Sequence, residues 1–197
     1  MARAGLSVER LVVAAAELAD EVGFDAVTLS ALARRFGVKD ASLYAHVRGL
    51  RDLRTRLALL AGGEMIDEIA DAVAGRAGRE ALAAFAGAYR DYALRHPGRY
   101  AAMQVRIDAD VAPDSPAMRR TAEITYGMLR AYGLGEPDLT DAVRLLRATF
   151  HGYCALEAAG GFNDPRNVRA SWDKAVDALH VALENWPRET ATADAKP

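Results

Sequence analysis

The stretch that decides the fold is Thr28-Leu-Ser-Ala-Leu-Ala-Arg-Arg-Phe-Gly-Val-Lys-Asp-Ala-Ser-Leu-Tyr-Ala-His-Val47. Thr28 is a residue type that caps helix N-termini, and apolar residues recur after it at helical spacing. Gly37 accepts the left-handed backbone conformation that ends a helix. The stretch therefore predicts a helix over 29–36 and a short helix from residue 39 or 40 to about 47. Two such helices joined by a tight glycine turn form a helix-turn-helix motif.

The second of these helices has one buried face and one free face. Leu43 and Val47 lie one turn apart, so both are expected to point into the core. The opposite face carries Ala41, Ser42 and Tyr44, and it is free to enter the major groove of duplex DNA. Apolar atoms on that face can contact thymine methyl groups, while the hydroxyl groups can donate to phosphates or base edges.

The motif lies in a chain that predicts helices throughout. A helix over 7–22 precedes it, with Ser7 as the N-cap. A long helix begins near Leu50 and reaches about residue 69, with a kink expected at the Gly62-Gly63 pair. Further helices are predicted over 79–95, 99–109, 115–132, 138–159 and 167–185. The predicted fold class is all-α, with about nine helices.

Composition agrees with this and excludes several classes. Hydrophobic residues make up 51% of the 197 residues, and alanine and leucine, which favour helices, dominate. The single cysteine, Cys154, excludes an internal disulfide and a cysteine-rich zinc site. No segment approaches the length of apolar sequence that spans a bilayer, so we expect a cytoplasmic protein without a membrane partner. The first 60 residues carry a net positive charge and the remainder a net negative charge, which fits a polyanion bound at one end.

Residues 7 to 53 resemble the TetR family of one-component regulators. The residues that carry the resemblance are Thr28, Ala33, Gly37-Val38 and Leu43-Tyr44-x-His46. The resemblance implies a sequence-specific regulator, more often a repressor, that binds a palindromic operator as a dimer. It also implies that Thr28, Tyr44 and His46 contact the DNA backbone. With the free face and nearby basic side chains, the predicted DNA-contacting residues are Thr28, Lys39, Ala41, Ser42, Tyr44, His46, Arg48 and Arg51.

The rest of the chain resembles the C-terminal domain of one TetR subgroup, through His96-Pro-Gly-Arg-Tyr100 and the segment Arg147-Ala-Thr-Phe-His-Gly-Tyr-Cys-Ala-Leu-Glu-Ala-Ala-Gly-Gly-Phe162. The resemblance implies a DNA-binding domain over 1–53 and a ligand-binding and dimerisation domain over 54–186. The last two helices are expected to form the homodimer, through an apolar face at Leu179, Ala182, Leu183 and Trp186. Residues 187–197 are expected to be a disordered tail. The candidate residues for an unknown small-molecule inducer are Phe85, Tyr89, Tyr92, Met103, Met118, Tyr126, Phe150 and His151.

His151, Cys154 and Glu157 lie three residues apart, along one strip of a helix, where a metal ion or a reactive thiol is conceivable. Histidine and cysteine on a core helix are more often packed and hydrogen-bonded, so we expect no metal and no cofactor. Two alternatives to a DNA-binding regulator stay open. One is an enzyme that uses His151, Glu157 or His180 as acid or base, although no phosphate loop or nucleophile motif accompanies them. The other is a helical adaptor that has lost DNA binding.

Overall fold

Eight α-helices and three short 3-10 helices form the part of the chain that the structure, a computed structural model, describes: residues 6–107 and 115–187. The α-helices are α1 (Val8–Val22), α2 (Leu29–Phe36), α3 (Leu50–Val73), α4 (Gly78–Arg95), α5 (Pro97–Ala102), α6 (Pro116–Leu129), α7 (Asp138–Ala158) and α8 (Val168–Glu184). The 3-10 helices are Phe24–Ala26, Asp40–Ala45 and Arg130–Tyr132. These described ranges contain no strand, and the all-α prediction is confirmed.

Both predicted N-caps in the first third of the chain are formed. The Ser7 side chain accepts a hydrogen bond from the Arg10 backbone N–H at 3.3 Å. The Thr28 hydroxyl oxygen accepts one from the Ala31 N–H at 3.1 Å. Each bond satisfies an N–H group that lacks a partner within its own helix, which is why these residue types mark helix starts. At the other end of α2, Gly37 adopts the left-handed conformation, with φ of 66°.

The predicted third helix differs from the observed one. The segment Asp40–Ala45, called the recognition segment below, is a 3-10 helix, whereas the sequence predicts an α-helix to about residue 47. Lys39, at its N-cap, has no side-chain oxygen to accept a first-turn N–H, and its side chain forms no capping bond. The carboxylate of Asp40 accepts a hydrogen bond from the Ser30 hydroxyl of α2. So short a segment gains few α-type hydrogen bonds, and 3-10 geometry is common in such pieces.

Helix α3 joins two hydrophobic cores. Its first turns contribute Leu53 and Leu57 to the core of the head, the unit formed by residues 6–49 and these first turns of α3. Its second half contributes Ile66 and Ile69 to the core of the body, which α4, α6, α7 and α8 complete. The helix runs without interruption through Gly62 and past residue 53, where the sequence places a domain boundary. One continuous helix therefore connects the two cores.

Some predictions fall at the limits of the described residues. Helix α5 ends at Ala102, earlier than the predicted limit at residue 109. The predicted helix end at 108–109 and the tail beyond residue 187 lie outside the residues that the structure describes. Within those residues, no helix is long and apolar enough to cross a membrane.

Candidate nucleic-acid interface and body cavity

The recognition segment presents its polar and aromatic side chains to solvent. Leu43 is fully buried and Val47 is 2% exposed, and both belong to the core of the head. In contrast, Tyr44 is 61% exposed, and Ala41 and Ser42 are exposed beside it. A tyrosine side chain left this far in solvent gains little from packing within its own chain. The free face predicted from the sequence is therefore present and is not covered by the described part of the chain.

The remaining predicted DNA-contacting residues surround this face. Lys39, Arg48 and Arg51 are exposed, and His46 is half-buried at the end of the recognition segment. Thr28 is exposed, but its hydroxyl oxygen already caps α2. The hydroxyl hydrogen of Thr28 stays available to a phosphate oxygen. The structure contains no DNA, so each of these contacts stays a prediction.

Asp52 orients the connection between the recognition segment and α3, although sequence reasoning did not single it out. Its carboxylate accepts hydrogen bonds from the Arg48 backbone N–H and from Arg56 Nε, both at 2.8 Å. The residue is only 5% exposed, which is rare for a carboxylate without such partners. The turn itself contains Gly49, whose φ of 126° favours glycine. The sequence signal for this role is spacing: Asp52 lies four residues after Arg48 and four residues before Arg56, so it is one helical turn from each.

Arginine side chains hold the head together from the side opposite the recognition segment. Arg35 of α2 donates to Glu17 and Glu21 of α1 at 2.8 and 2.7 Å. Its hydrogen bond to Glu21 raises the pKa of Arg35 and lowers that of the Glu21 carboxyl. Arg54 of α3 stacks over the Phe24 ring at 4.8 Å. The Arg35 ion pairs join α2 to α1, and the Arg54 contact joins α3 to the 3-10 helix Phe24–Ala26.

The body contains a largely apolar cavity of about 340 Å³, partly open to solvent, between α3, α4, α6, α7 and the residues after α5. This volume lies in the range of small-molecule sites. Its walls include Phe85, Tyr89 and Phe150, whose rings contact one another with centroid distances of 6.1 and 5.4 Å. Arg147 is the one charged residue among the described residues that line it.

Five of the eight candidate inducer residues line this cavity, and three do not. Those that do are Phe85, Tyr89, Met103, Met118 and Phe150. Tyr92 points elsewhere and donates to Glu64 Oε2 at 2.9 Å, and burial raises the pKa of its phenol. Tyr126 is 38% exposed on α6, and neither Tyr126 nor His151 lines the cavity. Which of these residues touch a ligand stays a prediction.

A chain of hydrogen bonds runs from the cavity wall to His151. The hydroxyl oxygens of Tyr89 and Tyr100 lie 2.8 Å apart, and the Tyr100 hydroxyl lies 2.8 Å from His151 Nδ1. Burial is the main cause that raises the pKa of both tyrosines. Both tyrosines are therefore neutral near pH 7, and the chain of hydrogen bonds links α4, α5 and α7.

His151, Cys154 and Glu157 do not converge on a common point. His151 bonds Tyr100, and Glu157 forms a bidentate ion pair with Arg90 of α4, with Arg90 Nε at 2.8 Å from Oε2. Cys154 is buried, and burial followed by the Glu157 charge raises the pKa of its thiol to about 12. In residues 6–107 and 115–187, no group of three His, Cys, Asp or Glu side chains is placed to hold a metal ion.

Helix α5 packs against α1 with its backbone. A Cβ at Gly98 would overlap the carbonyl oxygen of Ala19, so only glycine permits this approach. Beside it, Asp20 accepts the Arg99 backbone N–H at 2.9 Å and lies 3.0 Å from His96 Nδ1. We call these contacts the α1–α5 latch. They join the head to the segment that leads into the cavity wall at Met103.

The predicted dimer face on α8 requires a correction. Leu179 and Leu183 are 8% and 1% exposed because they pack into the body core of their own chain. Trp186 also packs against that core. The residues that α8 turns outward are Val181, 56% exposed, and the small residues Ala178 and Ala182. Of the four predicted residues, Leu179, Leu183 and Trp186 pack inward and Ala182 is exposed, so most of the predicted dimer face is wrong.

Helix α7 also turns apolar residues outward. Leu145 and Leu156 are 38% and 51% exposed, and the exposed residues between them include Ala148 and Ala155. Together with Val181, Ala178 and Ala182 of α8 they form what we call the outer face. An isolated exposed leucine is ordinary, whereas several on two adjacent helices are characteristic of an interface.

A helix-turn-helix head with an exposed recognition segment, joined to a helical body with a cavity, defines a DNA-binding regulator. Residues 11–53 match the family described as bacterial regulatory proteins, tetR family. Residues 82–179 match the tetracyclin repressor-like C-terminal domain. The chain belongs to the TetR family of transcriptional regulators.

Two relatives support this assignment along most of the chain. The uncharacterized HTH-type transcriptional regulator YobS of Bacillus subtilis is 32% identical over 86% of this chain and 88% of its own length. The uncharacterized HTH-type transcriptional regulator Rv0681 of Mycobacterium tuberculosis is 36% identical over 82% of this chain and 74% of its own length. The resemblance seen in the sequence is thereby confirmed.

Solved structures share the fold. A protein of unknown function from Rhodococcus sp. RHA1 is 29% identical, with a TM-score of 0.72 over 92% of this chain and 97% of that one. ActR of Streptomyces coelicolor in complex with actinorhodin is 22% identical, with a TM-score of 0.70 over 91% of this chain and 97% of that one. The second likeness concerns the fold alone.

Proposed function

We propose that this regulator binds a palindromic operator as a homodimer, acts in the cytoplasm, and leaves the operator when a small molecule enters the body cavity. The observation that carries the proposal is the recognition segment, where Tyr44 is 61% exposed above a fully buried Leu43. The cavity of about 340 Å³ supplies a place for the small molecule. ActR, which has the same fold, holds a small molecule in its complex with actinorhodin.

In the proposed complex the recognition segment lies in the major groove. Ala41 and Ser42 are at its N-terminal part and face the base edges, as the leading residues of recognition helices do. Tyr44 and His46 bind the phosphates beside the groove, with Lys39, Arg48 and Arg51 as additional cations. Phosphate contacts fix the register of the protein on DNA, whereas base contacts choose the sequence.

The outer face supports the proposed homodimer. Leu145, Leu156 and Val181 lie on two helices of the body, α7 and α8, that contact each other. Pairing this face with its copy around a two-fold axis gives a four-helix interface. The same axis places the two recognition segments for symmetric half-sites, one helical turn of DNA or more apart.

The α1–α5 latch supports a route by which a ligand acts on the head. Met103 and Gln104 line the cavity directly after α5, and Gly98 and His96 hold α5 on α1. A ligand that displaces Met103 therefore moves α5, and α1 moves with it. Release from DNA requires that the ligand bind the displaced arrangement better than the DNA-bound one.

The proposal is tested with fluorescein-labelled duplex from the region upstream of the protein's own gene, by fluorescence anisotropy at several salt concentrations. The wild type should bind with an affinity that falls linearly with salt on a log–log plot. Tyr44→Ala should weaken binding about tenfold or more, because a phosphate contact and its packing on the DNA backbone are lost. Tyr126→Ala, at a tyrosine of the body that is 38% exposed, is the control and should bind like the wild type. Equal affinities for Tyr44→Ala and wild type would contradict the proposed interface.

A further inference from the structure

The charge distribution of the body cavity indicates the class of ligand, an inference that rests on the proposed function. The described lining residues are aliphatic, aromatic or small polar, with Arg147 as the exception. None of them is acidic. A cation on the wall of an apolar cavity, without a carboxylate in the same wall, attracts an anion.

Arg147 is not engaged elsewhere in the described part of the chain. It forms no hydrogen bond and no ion pair there, unlike its neighbour Arg144, which donates to Asp141 at 3.2 Å. Most other arginines of the body are paired in the same way, among them Arg79, Arg90 and Arg95. The charge of Arg147 reaches Tyr89 and Tyr100, where it acts to lower the pKa of both hydroxyls against the effect of burial. Arg147 is an exposed residue that lines the cavity, and its guanidinium donors have no partner among the described residues.

Two neutral polar groups complete the wall. Thr125 is 8% exposed, and its hydroxyl has no hydrogen-bond partner among residues 6–107 and 115–187. Gln104 donates one N–H of its side chain to the Tyr100 carbonyl oxygen at 3.3 Å, which leaves its amide oxygen free. Both oxygens are therefore available to a ligand in the cavity, and a hydrogen bond to either one adds to its affinity.

We infer that the body cavity binds an amphipathic monoanion: an apolar, partly aromatic body that lies among Phe85, Met118 and Phe150, and one carboxylate or sulfonate held by the Arg147 guanidinium. A guanidinium presents parallel N–H donors that match the two oxygens of such a group. The apolar body supplies most of the burial, and Arg147 selects against neutral and cationic molecules of the same shape.

The test uses two fluorescent probes that share a ring system and differ in charge. The first, 8-anilinonaphthalene-1-sulfonate, is an anion, and the second, N-phenyl-1-naphthylamine, is its neutral counterpart. Each is titrated into the full chain without DNA, for wild type, Arg147→Gln, Arg147→Lys and the control Arg144→Gln. Arg147→Gln should weaken binding of the anionic probe about tenfold and change the affinity for the neutral probe by less than about twofold. Arg147→Lys should recover part of the loss, and Arg144→Gln should change neither probe.

A substitution that fills the cavity shows where the probes bind. Gly62 lines the cavity, and a Cβ there would meet no atom within 4 Å. Gly62→Leu should weaken both probes together, while thermal unfolding followed by circular dichroism shows that the variant is folded. The inference is overturned if Arg147→Gln leaves the anionic probe unaffected, if Arg144→Gln weakens it equally, or if Gly62→Leu spares both probes.

Failure of this inference differs from failure of the proposed function. Arg147→Gln should bind operator duplex like the wild type but require about tenfold more anionic probe for release. If no variant binds duplex while the anionic probe still depends on Arg147, the regulatory function is wrong and the ligand class stands. If duplex binding is intact and the affinity of the probes does not depend on Arg147, the ligand class is wrong and the DNA-binding function stands.

Discussion

Cys154 shows how burial decides the chemistry of a single side chain. The thiol lies in the body core, 2% exposed, beside the Arg90–Glu157 ion pair. Thiolate, not thiol, is the reactive form, and burial raises the pKa of Cys154 from an ordinary 9.0 to about 12. A regulator of this kind therefore does not sense oxidants through its one cysteine.

Cys154 should resist 5,5′-dithiobis(2-nitrobenzoic acid) at pH 8 in the folded protein and react within seconds in 8 M urea. The raised pKa means that the folded state favours the protonated thiol. Its contribution to the free energy of unfolding is therefore complete below pH 9 and is lost as pH rises towards 12. Ala83→Cys, at an exposed position of α4, combined with Cys154→Ser, is the control and should react at once. Rapid labelling of folded Cys154 would contradict this view of the core.

Sequence reasoning found the residues whose role is local. Thr28 and Ser7 were identified as N-caps because the bond that each forms lies within four residues of itself. Asp52 and Arg147 were missed for a different reason. An exposed arginine on an amphipathic helix has the same sequence pattern whether it faces water or a cavity, and only the tertiary structure distinguishes the two.

Helix α5 is short, yet it contacts both the head and the cavity wall. Six residues connect α4 to the cavity wall and hold α1 through backbone contact at Gly98. The pairing of Asp20 with His96 and with the Arg99 N–H spans more than 70 residues of sequence. No local pattern reveals such a contact, and the sequence marked His96-Pro-Gly-Arg-Tyr100 as part of a family resemblance, not as a contact with α1.

Gly98→Ala should lower the free energy of unfolding by roughly 1–3 kcal/mol, the usual cost of forcing extra atoms into a filled site. The added Cβ overlaps the Ala19 backbone, so α1 and α5 must separate. Urea denaturation followed by circular dichroism measures the change. Gly87→Ala in α4 is the matched control, because a Cβ there meets no atom within 4 Å. That variant should be neutral or more stable by about 0.5–1 kcal/mol, since alanine favours helix over glycine.

If Gly98→Ala proved as stable as Gly87→Ala, the close approach of α5 to α1 would be wrong. The same variant also tests the latch as a route. With α5 displaced, operator binding should weaken or lose its response to the anionic probe, whereas Gly87→Ala should respond like the wild type.

For the recognition segment, the sequence pattern predicts which residues are buried but not the type of helix. The sequence determined that Leu43 and Val47 face inward, since their burial follows from spacing alone. It did not determine whether the backbone is α or 3-10. The 3-10 geometry accompanies the short length of the segment and a hydrogen bond from Ser30 of α2 to Asp40.

For the molecule as a whole, the outer face of α7 and α8 is the surface through which we propose that two copies of the chain pair. Leu145, Leu156 and Val181 stay 38–56% exposed in the single chain. Helical spacing located the apolar residues of α8, but it could not show which of two apolar faces the body core would cover. Trp172, Val176, Leu179 and Leu183 took that position because they fit between α4 and α7.

The double variant Leu156→Glu/Val181→Glu should be monomeric at micromolar concentration, because pairing the outer face would bury four carboxylates per dimer. Size-exclusion chromatography with light scattering measures the mass, and anisotropy should show operator affinity reduced by at least a hundredfold. Val22→Glu, at a 57% exposed valine of α1, is the control and should stay dimeric. A dimeric double variant would place the interface elsewhere.

The contact at Gly98 has a consequence for building hybrid regulators. In a hybrid that joins the head of a relative to this body, residue 19 comes from the relative and its carbonyl oxygen packs against residue 98 of this chain. The transplanted helix must therefore allow the same close approach of the two backbones. Exchange should succeed when residues 19–20 and 96–99 are moved as one cassette, and it should yield insoluble or unresponsive chimeras when the joint is cut between them.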